Sequence, residues 1–287
     1  GAYDECATLG VVDKTEQVRL ASVRVLELLT ANVDIRPDWR VMDMGSALGG
    51  CSRYLAKTFG CHVLGVDLSK KECEVNLKKT TRAGLDHLVD VKCCSFTDTG
   101  EEDASFDLII SEDSFLHAGK FRADCIKEAS RLLKPGGYLI FTDPMEADDV
   151  DKTKLQAIYN RIHLEDMGSV KFYKAAAASS GLNFVAFDQK TEHLITHYAT
   201  VQAILREKEA ELIATTSINP EYLRNMDKGL SYWVDGGRQG LLNYGILTFQ
   251  KPAASIEDLA QAAAKAAQAA MQCAQMAEKL ASAAAAE

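Results

Sequence analysis

Between residues 41 and 142, five short apolar runs alternate with stretches of helical spacing, and that alternation leaves few architectures open to the chain. Val41–Met44, Val63–Val66, Val89–Cys93, Leu108–Ile110 and Tyr138–Thr142 read as strands. Strands separated by helix-length segments lie parallel, because a parallel neighbour is reached only through a crossover connection. Ahead of them, Val18, Ala21, Val25, Leu28 and Leu29 recur at helical spacing between Thr15 and Asn32, which predicts a helix covering the sheet. Lys134-Pro-Gly-Gly137 is a stop, where proline ends a helix and glycines supply the turn into the fifth strand. The expected class is α/β, a mostly parallel sheet flanked by helices.

After Asp143 the rhythm changes. Residues 153–180 read as two helices, Asn183–Phe187 as a strand, 192–236 as a helical insertion and Tyr244–Gln250 as a last strand. The two strands form an edge pair, and the helices within 144–240 form a cap over the sheet, where a substrate lid belongs. Residues 1–252 make one domain on this reading. Residues 253–287 differ in kind, for 17 of these 35 residues are alanine and Pro252 precedes them. Ser255 with Asp258 forms an N-terminal cap before Leu259, so a helical extension is expected. Ile256, Leu259, Met271, Met276 and Leu280 are too few to anchor it alone, which leaves a docked helix, a partner-binding arm and a mobile extension all open.

Composition narrows the partners. The formal charge is −9 and the basic residues are scattered, which argues against nucleic acid, since phosphate contacts need massed Lys and Arg. A small partner without many negative charges fits better. Eight cysteines lie at 6, 51, 61, 73, 93, 94, 125 and 273 with no C-x-x-C pair, so no zinc ribbon or secreted disulfide framework is expected, and the thiols read as buried in a reducing compartment. No apolar run approaches the roughly 20 residues of a membrane span, and Gly1 opens no signal-peptide pattern. The compartment itself stays open between cytoplasm and organelle.

The strongest local signal is Val41-Met-Asp43-Met-Gly45-Ser46-Ala-Leu-Gly49-Gly50, a strand ending in a glycine turn that opens a helix. Small residues there let the backbone approach a ligand, and a helix N-terminus offers free N–H groups. Asp67, closing the second strand, is placed to accept both hydroxyls of a ribose. A dinucleotide fingerprint, G-x-G-x-x-G, requires glycine where Ala47 stands, so a dehydrogenase is the poorer match. Ser95, Phe96 and Asp98 follow the third strand at the carboxyl edge of the sheet, where an adenine slot or an ordinary polar loop belongs.

Glu112-Asp113-Ser-Phe-Leu-His117 follows the fourth strand at the same edge. A carboxylate can orient an amine and an imidazole can take its proton, so the pair suits chemistry at a nitrogen held in line. A solvated acidic loop with a histidine near a helix start is the bland alternative. Within the inserted region, Tyr159, Arg161, Asp166-Met-Gly168, Tyr173, Trp233 and Arg238 suit an amino-acid-like zwitterion, aromatic faces for the ammonium and arginine for the carboxylate. Amphipathic helices also bury such aromatics in a core and leave arginine in water.

On these residues the chain resembles the class I S-adenosylmethionine-dependent methyltransferases, and among them the sarcosine/dimethylglycine N-methyltransferases that make glycine betaine. The resemblance runs from about Arg40 to Lys251. Its generic part is Asp43-x-Gly45, Asp67 and Leu132-Leu-Lys-Pro-Gly-Gly137. Its specific part is Ser111-Glu-Asp-Ser-Phe-Leu-His117, Thr142-Asp-Pro-Met145, Asp166-Met-Gly-Ser169 with Tyr173, and Gly229-Leu-x-x-Trp233-x-x-Gly-Gly-Arg238. The resemblance implies a Rossmann-like sheet of seven strands with the last antiparallel. It implies S-adenosylmethionine as donor, held by Asp43, Gly45, Ser46, Gly49, Asp67, Leu68, Ser95, Phe96 and Glu112. Asp113 and His117 would then face the acceptor amine and carry catalysis, with Asp113, Tyr159, Arg161, Met167 and Tyr173 as acceptor contacts.

Three departures stand beside it. Relatives carry a second glycine at the position of Ala47, which a negative φ would accommodate. They begin with a longer tyrosine-rich segment, whereas only a short stretch around Tyr3 precedes the first helix here, and the alanine-rich tail has no counterpart. The leading expectation is an N-methyltransferase acting on a small amine such as sarcosine or dimethylglycine. Its rivals are a methyltransferase-like subunit that has lost turnover and serves a larger assembly, and an enzyme with a phenol or thiol acceptor.

Overall fold

The computed structural model describes residues 14–257 and positions 260, 264, 267, 268, 271, 272 and 275. Tyr3, Leu259, Met276 and Leu280 lie outside the described residues. The chain divides into two compact units, Gly1–Lys251 and Pro252–Glu287.

In the first unit, helix α1 (Lys14–Thr30) precedes an alternation of β1 (Arg40–Met44), α2 (Gly50–Phe59), β2 (His62–Asp67), α3 (Lys70–Arg82), β3 (Val89–Cys93), β4 (Phe106–Glu112), α4 (Arg122–Leu132) and β5 (Leu133–Glu146). A 3-10 helix, Phe115–Phe121, joins β4 to α4. Then follow α5 (Gln156–Ile162), α6 (Val170–Ser179), β6 (Asn183–Gln189), α7 (Thr191–Thr215), α8 (Pro220–Arg238) and β7 (Leu242–Gln250). The seven strands form one sheet in the order β3-β2-β1-β4-β5-β7-β6. Neighbours from β3 to β5 are parallel, while β7 runs antiparallel to both β5 and β6. This is the expected Rossmann-like seven-stranded sheet.

Period-two burial explains how one sheet serves two layers. Met42, Met44, Leu64, Val66, Ile109, Leu139 and Phe141 point to one face, against Cys125, Ile126 and Ala129 of α4. Val41, Val63, Leu108, Ile110 and Ile140 point to the other, against Leu26 and Leu29 of α1 and Leu55 of α2. Strands buried on both faces read as near-continuous apolar runs, as these do. The cap has its own core, in which Leu155, Ile158, Tyr159, Met167, Leu194 and Trp233 pack with Leu242 and Tyr244 of β7.

One boundary differs from expectation. The strand after the Lys134–Gly137 stop begins before it, for Leu133 pairs with Phe106 and Tyr138 with Leu108. The stop is therefore an irregularity inside β5, with Gly136 at φ +83°, and its extra residues let the chain leave α4 and enter the sheet at once. In the second unit the described positions from Ile256 to Gln275 are helical and exposed.

Candidate active site

Strand order reverses between β1 and β4, since the chain works outward from β1 to β3 and then resumes on the other side. Open parallel sheets bind ligands at the carboxyl ends of the strands at such a reversal. Here that place holds the Gly45 turn on one side and Glu112 with Asp113 on the other.

On the β1 side, Gly45 has φ +81°, and a side chain on it would sit 2.3 Å from Ser114 Oγ and 3.6 Å from the Phe96 ring. Only glycine fits. Ser114 Oγ donates to the carbonyl of Gly45 at 3.2 Å or of Glu112 at 2.9 Å, so the turn after β1 and the loop after β4 are fastened together. Asp67 is half-buried at the tip of β2, where its Oδ2 accepts from the Ala47 N–H at 2.9 Å and its Oδ1 from the Ser69 N–H at 2.8 Å. Each carboxylate oxygen keeps a second lone pair for an incoming hydroxyl. Leu68 next to it is 75% exposed, and half-buried Phe96 packs edge-on to Phe115. A paired acceptor flanked by apolar surface, close to the first N–H groups of α2, fits a nucleoside.

Three of the expected donor residues brace the turn from β1 into α2 from within. Asp43 is 1% exposed and accepts from Ser52 Oγ at 2.6 Å, and burial pushes its carboxyl up to about 6. Ser46 is buried and takes a hydrogen bond from Asn76 Nδ2 at 3.4 Å, while Gly49, at φ +77°, leaves room for Asn76 Oδ1. Ala47 also departs from the negative φ anticipated for it. At +42° it is left-handed, a conformation that costs a residue with a Cβ about 1–2 kcal/mol and that the Asp67 hydrogen bond helps to hold.

On the β4 side lies a cavity of about 170 Å³. Glu112 and Asp113, Pro144 of β5 and Tyr244 of β7 form its floor, and α1 and α7 its roof, with Arg24, Val25 and Leu28 from the first and His193, His197 and Tyr198 from the second. Asp113 has φ +52°. Its Oδ2 accepts from the Tyr244 hydroxyl at 3.4 Å, and its buried Oδ1 lacks a hydrogen bond of ordinary geometry among the described residues. Burial pushes the Asp113 carboxyl up to about 6, against the pull of the Thr142 hydroxyl and then of the Tyr244 hydroxyl. Glu112 goes further, to about 8, through burial first and then the negative charges of Asp113 and Asp43. The two acids therefore hold about one negative charge between them at neutral pH. Burial keeps the His193 and His197 imidazoles below their ordinary range, hence neutral there.

The remaining acceptor residues are not brought to this cavity. His117 is exposed on the 3-10 helix and has no side-chain hydrogen bond among the described residues. Tyr159 and Tyr173 are 1% and 0% exposed, their hydroxyls donated to Glu146 and Asp143. Burying a tyrosine requires such a partner, and these helices supply core, not contacts. Met167 is buried in the cap core, and Arg161 lies across Gly229 of α8. Trp233 is also core, stacked at 5.0 Å behind Tyr198, which does reach the cavity. Sequence reading missed Arg24, His193, His197, Tyr198 and Tyr244. The signal was the i, i+4 pair His193 and His197, whose spacing puts both imidazoles on one face of α7.

Comparison with known proteins decides the family. The methyltransferase domain model matches residues 42–141. The sarcosine/dimethylglycine N-methyltransferase of Halorhodospira halochloris is 40% identical over 240 residues, which are 83% of this chain and 85% of that one. The chain belongs to the sarcosine/dimethylglycine N-methyltransferase family. It is a methyltransferase, and the site just described lies at the carboxyl edge of that domain. The glycine/sarcosine/dimethylglycine N-methyltransferase of Actinopolyspora halophila is also 40% identical, over 81% of this chain, but the chain spans only 40% of that longer protein. A crystal structure described as a sarcosine dimethylglycine methyltransferase, from Galdieria sulphuraria, superposes with a TM-score of 0.77 at 34% identity, over 82% of this chain and 88% of the other. No described helix of this methyltransferase is long and apolar enough to cross a membrane.

Proposed function

We propose that the chain transfers a methyl group from S-adenosylmethionine to the amine nitrogen of sarcosine or dimethylglycine, within the synthesis of glycine betaine. When bound, the donor supplies an electrophilic methyl carbon on a positively charged sulfur. Gly45, Asp67, Leu68 and Phe96 would hold its nucleoside, and the cavity over Glu112 and Asp113 would hold the amine.

The observation that carries the reading is the Asp113 carboxylate, which lines a cavity of about 170 Å³ beside the Thr142 and Tyr244 hydroxyls, with its buried Oδ1 lacking a hydrogen bond of ordinary geometry among the described residues. An ammonium N–H completes it. Asp113 orients the amine and takes its proton at Oδ1, after which the nitrogen lone pair is free to attack. The neutral imidazoles of His193 and His197 and the guanidinium of Arg24, which is paired with Glu27, also line the cavity and suit the carboxylate of the same zwitterion. Tyr198 and Tyr244 offer aromatic faces to a methylated nitrogen. Holding the amine in line contributes most of the acceleration, and proton removal a smaller share.

Calorimetry with S-adenosylhomocysteine, followed by methyl transfer to sarcosine, dimethylglycine and phosphoethanolamine, tests this. Binding with turnover of the first two supports it, and no heat at millimolar nucleoside ends it. For macromolecules, the scattered basic residues and the charge of −9 speak against nucleic acid. The unit Pro252–Glu287 is proposed as an arm for a protein partner, to be tested by size exclusion from the native source with and without residues 253–287.

A further inference from the structure

We propose that Cys73 and Cys93 are a redox-modified pair, closing a disulfide behind the tip of β2 that weakens donor binding. The effect on the donor rests on the nucleoside site proposed at Asp67. The thiol pair itself stands on separate observations.

Cys93 ends β3 directly opposite Asp67 in the ladder, and the next N–H, of Cys94, is donated to the Asp67 carbonyl at 3.0 Å. Cys73 sits in the opening turn of α3 with its Sγ donated to that same carbonyl at 3.5 Å. Cys93 Sγ is donated to the following carbonyl, of Leu68, at 3.6 Å. Both thiols thus support the two peptide units that present the acid and the exposed apolar side chain to the ligand. Cys73 Sγ also lies 4.0 Å from the carbonyl of Lys92, the residue before Cys93, so both sulfurs sit where the tips of β2 and β3 meet. Sulfurs anchored on consecutive peptide carbonyls of one strand tip need less travel to reach bonding distance than cysteines with no shared anchor.

The two differ in access. Cys93 is exposed, whereas Cys73 is 7% exposed, and burial together with its neighbour pushes the Cys73 thiol up to about 11. Cys93 is the one an oxidant reaches. A hydroperoxide provides the balance. The Cys93 sulfur attacks the distal oxygen, an S–O bond forms as the O–O bond breaks, and the alcohol or water leaves with the thiol proton. The Cys73 sulfur then attacks the Cys93 sulfur. The S–S bond forms as S–O breaks, and the departing hydroxide takes the Cys73 proton as water. Two thiols have lost two electrons and the peroxide has gained them. The disulfide removes both S–H donors from the Asp67 and Leu68 carbonyls and draws α3 against β3, so the tip of β2 shifts. Among the described residues, Cys51, Cys61 and Cys125 are buried.

The full chain, reduced and then treated with stoichiometric hydrogen peroxide, is blocked with iodoacetamide and mapped by non-reducing peptide mass spectrometry. In parallel, calorimetry measures its affinity for S-adenosylhomocysteine. The expected result is a Cys73–Cys93 cross-linked peptide and at least a tenfold weaker affinity, both reversed by dithiothreitol. Cys93→Ser should abolish both responses, while Cys94→Ser should keep them. No cross-link between these two positions, or a cross-link that leaves affinity unchanged, overturns the proposal. Reduced protein without affinity for the nucleoside overturns instead the assignment of the donor site, and the peptide map still decides the thiol pair.

Discussion

The Asp67 carboxylate accepts the N–H of Ala47 at 2.9 Å while Ala47 is held at φ +42°. One acidic side chain at the end of β2 therefore fixes the turn after β1. Replacing Ala47 by glycine relieves left-handed strain and gives back part of the gain as chain entropy. Ala47→Gly should stabilise the fold by about 0.5–1 kcal/mol. Thermal denaturation should show a rise of about 1–3 °C; a lower melting temperature would mean that the turn is unstrained.

Asp67→Asn keeps one carbonyl oxygen for Ala47 and loses the charge and the second acceptor. Its amide nitrogen then faces the Ser69 N–H, so the melting temperature should fall by a few degrees, while affinity for S-adenosylhomocysteine falls about tenfold, the value of one charge-assisted hydrogen bond. Equal affinity by calorimetry would place the nucleoside elsewhere.

Asp113→Asn suits the backbone, because asparagine tolerates a positive φ. The amide can neither take a proton nor neutralise an ammonium, so kcat/KM for dimethylglycine should fall by about 10²-fold with nucleoside affinity unchanged. The Thr142 and Tyr244 hydroxyls hold the Asp113 carboxyl down against burial. Tyr244→Phe should therefore move the acidic limb of the kcat/KM profile, near pH 6, to higher pH.

Burial raises Glu112 to about 8, far above the 4.3 of an unfolded glutamate. Such a group favours folding while protonated, so its contribution is complete below about pH 4 and is lost as pH rises through 8. Glu112→Gln removes that dependence. The variant should gain stability relative to the parent between pH 5 and pH 9 in denaturant melts, and parallel curves would refute the assignment.

Tyr173 donates to Asp143, whose carboxyl burial pushes up to about 8 and which also accepts the Leu116 N–H at 3.1 Å. Tyr173→Phe leaves a buried acceptor short of a donor and should cost about 1–3 kcal/mol in urea denaturation. Full stability would show that water takes the place of the hydroxyl.

The sequence by itself determined the sheet, its helices and the glycine turn after β1, because their signals are local. Apolar runs of strand length, a glycine turn opening a helix and an acid closing the next strand are all written within short stretches of chain. Tertiary structure alone decided which side chains meet across the cavity. Tyr159, Tyr173 and Trp233 looked like contacts and are core, since a helix face can turn to either and composition does not say which. Arg24, His193, His197, Tyr198 and Tyr244 come from α1, α7 and β7, segments up to 220 residues apart that only the packing of cap on sheet brings to Asp113. Ala47 shows the same division at one residue. Its identity was plain, but its left-handed φ follows from an acid 20 residues away that accepts its N–H.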